Sequence, residues 1–295
     1  MLKPLGADTS GSQFLQPDGY FPNHIPNPED ANAIECLIKT TVECGADLGI
    51  IFDTDVDRAG AVDSSGKEIN RNRLIALLSK MLLNEKKGVI VTDSVTSEGL
   101  TSFIENLGGK HLRYMRGYKN VINKCRELNE SGIYSPLAIE TSGHAAFEAN
   151  YFLDDGAYVV VKLLILLSTL KAGETLADLI KDLPEPKESD EVRISFSDPS
   201  SFREKGAQVL KQIEKQVLSD NSLSLAPDNY EGVRVHFKDG WFLIRMSLHD
   251  PVMPINFESN TVGGNRVLAE KLLQMLCGFS FLNTDNLYKY IHNEV

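Results

Sequence analysis

Short apolar runs that stop at polar, chemistry-bearing turns constrain this chain more than any other feature. Leu48–Phe52, Gly88–Asp93 and Leu137–Ile139 are too short for helices and have no polar alternate face, the pattern of strands buried on both sides. Between them, Arg71–Leu83 and Ser97–Leu107 carry apolar residues at helical spacing, the second ending at Gly108-Gly109. An earlier helix is expected to start at Asn27-Pro28-Glu29-Asp30, with Pro28 in its first turn. It continues through Ile34, Leu37, Ile38 and Val42 and stops before Gly45. Strand and helix alternate, so a parallel, doubly wound sheet is the simplest architecture.

The first run ends in Asp53-Thr-Asp-Val-Asp-Arg58. Asp53, Asp55 and Asp57 stand at alternate positions on a turn, so their oxygens can converge on one hard cation. Mg²⁺ suits such a site, because it takes octahedral oxygen and keeps waters in its unused positions. Arg58 adds a fixed cation, placed for a phosphate or for one of the carboxylates. An EF-hand loop also opens Asp-x-Asp-x-Asp, but it requires Gly where Arg58 stands and Glu where Ser64 stands. A solvated acidic turn is the bland alternative; direct abutment to a buried strand favours the metal.

The third run ends in Glu140-Thr-Ser-Gly-His144. Glu140, Ser142 and His144 on a tight turn can hydrogen-bond adjacent sugar hydroxyls. A serine hydrolase is disfavoured, because no Gly-x-Ser-x-Gly elbow is present. A plain strand-end turn is the remaining alternative. Upstream, Arg116-Gly117-Tyr118-Lys119 precedes a helix. Arg116 and Lys119 there either hold phosphate with helix N–H groups or are solvated cations.

A net charge of −11 and the lack of a Lys/Arg-rich run with interleaved aromatics argue against a nucleic-acid partner. Phosphate remains compatible, since a local cluster of cations can dominate a cleft. The four cysteines show no metal-type spacing, and Cys36 and Cys44 lie about 12 Å apart on one helix, too far to bridge. A reduced, soluble protein of cytosol-like surroundings is the expectation. The apolar run near Val159–Leu170 contains Lys162 and is too short to span a bilayer, and no leader peptide is evident. Membrane partners are therefore not expected.

Leu183–Asp190 is polar and Pro-rich and reads as a linker. Beyond it, Glu191–Phe196 alternates like a strand, Ser201–Leu218 reads as a helix, and Val233–Phe237 and Trp241–Arg245 form a hairpin around Lys238-Asp-Gly240. Val267–Leu276 closes as a helix, giving a small α+β domain.

The stretch Gly45–Arg58 resembles the metal loop of the α-D-phosphohexomutases, the phosphoglucomutase/phosphomannomutase superfamily, with Thr54 in place of a glycine. Glu140–His144 resembles the sugar loop, Gly-Glu-x-Ser-Gly-His, with Ile139 replacing the first glycine. Arg245-Met-Ser-Leu-His-Asp-Pro251 resembles the phosphate loop, with His249 replacing a threonine. Asp154-Asp155-Gly156 is similar to the stretch that opens the next family helix, and Phe21-Pro22 with Pro26-Asn27-Pro28-Glu29 to the segment before a helix of the second domain. The order of loops is that of the family.

The resemblance implies two doubly wound mixed-sheet α/β domains, 1–69 (its opening strand missing) and 70–184, and an α+β domain, 185–295. It implies a Mg²⁺ cofactor on Asp53, Asp55 and Asp57, with Arg58, Lys119 and His144 supporting. Substrate contacts fall to Arg116, Glu140, Ser142, His144, Arg245, Ser247 and His249. The implied reaction moves phosphate between C1 and C6 of a hexose phosphate, through a bisphosphate. No stretch like the family's phosphorylated-serine loop, Thr-Ala-Ser-His-Asn-Pro, occurs here. The expected partner is therefore a further N-terminal domain carrying that serine. The alternative is a non-catalytic sugar-phosphate-binding protein. The divergence resembles plant plastid-type members, which leaves cytoplasm and plastid stroma both open.

Overall fold

A computed structural model describes residues 2–247 and 250–293. The chain divides into two units, Met1–Leu112 with Arg116–Leu183, and Pro184–Val295 with Arg113–Met115.

In the first unit, Asp30 caps helix α1 (Ala31–Glu43) by accepting the Ala33 N–H at 3.0 Å. Pro28 therefore lies before the helix, a correction to its expected place in the first turn. Strand β1 (Leu48–Phe52) follows and pairs antiparallel with β2 (Ala59–Asp63), Ile50 opposite Ala61. A Cβ on Gly49 would come within 2.1 Å of Thr41 Oγ1, so α1 rides directly on the strand. Next come α2 (Arg71–Glu85), β3 (Val89–Asp93), α3 (Glu98–Asn106, capped by Ser97), β4 (Lys110–Tyr114) and α4 (Tyr118–Glu130). They are followed by β5 (Leu137–Ile139), β6 (Ala145–Phe147) and α5 (Gly156–Leu167).

The sheet order is β4-β3-β5-β6, with β3 and β5 parallel and β5 and β6 antiparallel. The sheet is thus mixed, as the family resemblance implies, and not wholly parallel as the strand–helix alternation suggested, because β6 turns directly back along β5. Its core joins Ile69, Leu74, Leu77, Ile90, Ile139, Phe147 and Val159, and it continues without a break across residues 69 and 70. The apolar run near Val159 lies in α5, and among the described residues no helix is long and apolar enough to cross a membrane. The four cysteines are free thiols.

The second unit contains β7 (Glu188–Phe196), α6 (Phe202–Leu218), β8 (Ser224–Leu225), β9 (Val233–Phe237), β10 (Gly240–Ile244) and β11 (Val252–Ser259). Helix α7 (Gly264–Leu276), β12 (Leu282–Asn283) and α8 (Asp285–His292) close it. The strands form one antiparallel sheet, β12-β7-β11-β10-β9-β8. Alternate residues Val233, Val235, Phe242, Ile244, Ile255 and Phe257 share a core with Val209 and Ile213 of α6, Leu272 of α7 and Leu287 of α8.

The expected hairpin is present. The linker is shorter than expected, since Glu188, Ser189 and Asp190 belong to β7. Their polarity suggested a loop, yet they pair with Ser259, Glu258 and Phe257. Glu188 also accepts the Gly263 N–H at 2.5 Å and the Asn265 N–H at 2.9 Å at the start of α7. Helix α7 starts three residues before the expected Val267, at Gly264, and α8 was not anticipated.

Candidate functional site

The acidic triplet fills the connection between β1 and β2. Asp53 is buried, Asp57 half-buried and Asp55 exposed, and one oxygen from each lies within 4.8 Å of the others. Val56 sits between two of these acids at φ 64°, a conformation that costs a β-branched residue about 1–3 kcal/mol. That strain is sustained by contacts made from far along the chain. The Gly156 N–H donates to the Val56 carbonyl at 3.0 Å. A Cβ on Gly156 would lie 2.8 Å from both the Val56 O and the Arg58 carbonyl carbon, so only glycine lets α5 begin against the loop.

Arg58 satisfies one of the two roles open to it. Its Nε donates to Asp53 Oδ2 at 2.8 Å and its backbone N–H to Asp53 Oδ1 at 3.2 Å. Burial alone would raise Asp53, but hydrogen bonds from Arg58 and Asp57 and the Arg58 charge hold its carboxyl below the usual range. Asp57 moves the other way, pushed up to about 6 by burial and by sharing a hydrogen bond with Asp53, against the opposing His144 charge. One Asp57 oxygen, Oδ1, is buried with no hydrogen-bond partner. Arg58 Nε stands 3.9 Å from it, and a desolvated carboxylate oxygen without a hydrogen bond among convergent acids is what a hard cation relieves. The donor set therefore fits Mg²⁺.

The loop between β5 and β6 lies beside this one. Gly143, at φ 99°, would place a Cβ 3.1 Å from the Ala59 carbonyl oxygen, and Arg58 and His144 form a backbone bridge. His144 Nδ1 is 2.8 Å from Asp154 Oδ2 and 3.5 Å from Asp57 Oδ2. Burial would lower its pKa, but the hydrogen bond and charge of Asp154, then Asp57 and Glu140, raise it. Its ring stacks on Tyr118, with centroids 5.1 Å apart and planes at 23°.

Glu140 is only 4% exposed, and its Oε1 accepts the Gly117 N–H at 2.6 Å. Burial and the nearby Asp93 carboxylate push it up to about 7, against Gly117, Arg116 and His144. The Gly117 amide just before α4, one of the groups that could have held phosphate, is thus taken by a carboxylate. Arg116 Nε lies 3.5 Å from Asp93 Oδ2, and Asp93 also accepts from Thr141 Oγ1 at 2.7 Å. Arg116 is therefore engaged by an acid and is not a simply solvated cation. Lys119 is exposed on the first turn of α4, its Nζ 5.8 Å from the Tyr118 ring centroid. Ser142 is half-buried and lines a shallow depression with Asn70, Arg71 and Gly143.

In the second unit Arg245 follows β10 and is 7% exposed, with Nη1 3.5 Å from Glu231 Oε1. Arg245 is therefore buried beside an acid and not a solvated side chain on the hairpin. Ser247 Oγ accepts the Asp250 N–H at 3.2 Å. His249 lies outside the described residues.

Sequence reasoning missed Asp154 as a partner of the site and the ties of Glu140 and Arg116. One signal was available. Two acids stand before Gly156, and only Asp155 caps α5, accepting the Tyr158 N–H at 2.9 Å; the first was left to do something else.

Fold and site together define an α/β protein with a convergent acidic loop beside a polar strand-end loop. Residues 1–66 match the model for "Phosphoglucomutase/phosphomannomutase, alpha/beta/alpha domain II", and residues 70–186 that for domain III. The chain belongs to the phosphoglucomutase/phosphomannomutase family. It is 33% identical over 264 residues to a phosphomannomutase/phosphoglucomutase of Pseudomonas syringae pv. tomato, covering 88% of this chain and 53% of that one. With a phosphoglucomutase of Neisseria gonorrhoeae it shares 28% identity, across 88% of this chain and 54% of the relative. The crystal structure of a phosphoglucomutase/phosphomannomutase family protein from Burkholderia thailandensis superposes with a TM-score of 0.74 at 27% identity, covering 89% of this chain and 53% of that one. The chain thus spans about half the length of the relatives it matches.

Proposed function

We propose that this chain is the metal- and sugar-binding part of a phosphohexomutase, an intramolecular phosphotransferase that moves phosphate between C1 and C6 of a hexose phosphate. The observation that carries the proposal is the convergence of Asp53, Asp55 and Asp57 around a buried Asp57 oxygen with no hydrogen-bond partner. These three side chains would hold Mg²⁺, which when bound neutralises charge on phosphoryl oxygens. Arg58 keeps Asp53 ionised and oriented. Ser142 and His144 face the sugar, with His144 passing a proton to or from a hydroxyl. In the second unit, Arg245 and Ser247 bind phosphate, and His249 replaces the family threonine there. The phosphoryl carrier comes from outside these 295 residues, whose sequence holds no serine loop of the family type. The chain by itself therefore binds and does not turn over.

A second reading, a binding protein without catalysis, draws support from Glu140. Its carboxyl is turned inward onto Gly117 and is not presented to a sugar. Calorimetry tests the Mg²⁺-dependent binding that both readings require. Glucose 1-phosphate is expected to bind saturably only with Mg²⁺ present, and Asp57→Asn to weaken Mg²⁺ binding at least ~10-fold. No Mg²⁺-dependent binding would overturn the proposal. Steady conversion of glucose 1-phosphate by the purified chain, abolished by Asp55→Asn, would overturn the dependence on an outside carrier.

A further inference from the structure

Asp154 spends both carboxylate oxygens on one short stretch of chain. Oδ2 lies 2.8 Å from His144 Nδ1, and Oδ1 accepts the N–H of the next residue, Ala145, at 3.0 Å. The backbones are tied as well, through an antiparallel bridge between Ala146 and Asp154. Ring and following peptide are therefore gripped by one rigid group, and the carboxylate cannot rotate without losing a bond. The ring plane is fixed independently by Tyr118, stacked at 23°. A second acid competes for the same nitrogen, because Asp57 Oδ2 stands 3.5 Å from Nδ1. The shorter contact gives Asp154 the hydrogen and leaves Asp57 to the cation.

We propose that Asp154 is a positioning residue: it holds the neutral His144 ring with its hydrogen on Nδ1, so that Nε2 is the atom offered to a bound hydroxyl. A neutral imidazole facing a carboxylate through one nitrogen carries its hydrogen there, and the other nitrogen becomes the acceptor. Nε2 makes no hydrogen bond to the described residues, and the side chain as a whole remains 17% exposed. Asp154 acts entirely through His144, as an orienting carboxylate does in acid–base dyads. The inference rests on the proposed sugar site for its purpose but not for its geometry.

The test is the imidazole nitrogen spectrum of the ¹⁵N-labelled chain without metal or sugar, at alkaline pH where the ring is neutral, with His144→Gln assigning the signal. The expected wild-type signal is that of an Nδ1–H ring. Asp154→Asn, which keeps the side chain's shape but loses its charge, is expected to move the population toward Nε2–H, and Asp154→Glu to restore part of it. Glucose 1-phosphate affinity in the presence of Mg²⁺ should fall several-fold in Asp154→Asn and recover in Asp154→Glu. A wild-type ring protonated on Nε2 overturns the inference, and this reading needs no variant to fold. An unchanged ring in a folded Asp154→Asn overturns it too. Failure of sugar-phosphate binding in the wild-type chain alongside an Nδ1–H ring would instead strike the proposed function.

Discussion

Replacing Glu140 with Gln should stabilise the first unit, and the gain should grow as pH rises. Glu140 carries a pKa raised from its ordinary 4.5 to about 7, because burial and Asp93 disfavour its charge more than Gly117, Arg116 and His144 favour it. The folded form holds its proton where the unfolded chain has released it. Stability is therefore lost as pH climbs from the unfolded value through the folded one. For those two values the penalty is about 1 kcal/mol at pH 5 and ~3 kcal/mol at pH 8. Gln keeps an oxygen to accept the Gly117 N–H and carries no charge. Its advantage over wild type should thus widen by ~2 kcal/mol between the two pH values, or roughly 4–8 °C in Tm for a unit of this size.

His144 and Asp57 titrate in both proteins, so the difference between the two curves is the quantity to read. Urea unfolding in EDTA is the assay, and the single tryptophan helps assign it. Trp241 lies in the second unit, so a transition seen by circular dichroism but not by tryptophan fluorescence belongs to the first. A constant gap between the curves from pH 5 to 8, or a Gln variant less stable throughout, would refute the account of a destabilised buried carboxylate.

Two further outcomes follow from the loop geometry. Val56→Gly should raise the urea midpoint of the first unit by the equivalent of ~1 kcal/mol, since glycine adopts φ 64° without strain; a lower midpoint would mean that the valine side chain, 39% exposed, stabilises the loop after all. Gly156→Ala should weaken Mg²⁺ binding several-fold and cost ~2 kcal/mol of stability, although it touches no ligand. Its new Cβ would meet backbone at 2.8 Å and push the loop aside, and an unchanged calorimetric titration would exclude that coupling.

Much of the fold was legible because its causes are local. The five-residue run Leu48–Phe52 is apolar at each position but Gly49, and it became a strand. Asp30 and Ser97 cap helices through N–H groups three residues ahead, a distance visible in any window of sequence. The turn Lys238-Asp239 closes β9 onto β10 in register. The spacing of the acidic triplet on the turn after one strand was legible as well, whereas the Gly156 contact that holds that turn was not.

What the sequence by itself left open depends on partners far along the chain and on which way side chains face. No window of sequence shows that Glu140 accepts the N–H of Gly117, 23 positions away, at 2.6 Å. Glu188 reads as linker until Gly263, 75 positions on, donates its N–H to it. Asp154 reads as a helix opener until His144 swings into its reach. Local pattern fixed where strands and helices run, because propensity and burial act over a few residues. Tertiary packing alone decided which carboxylates are buried, paired or open to a ligand, because desolvation and charge pairing are set by neighbours in space.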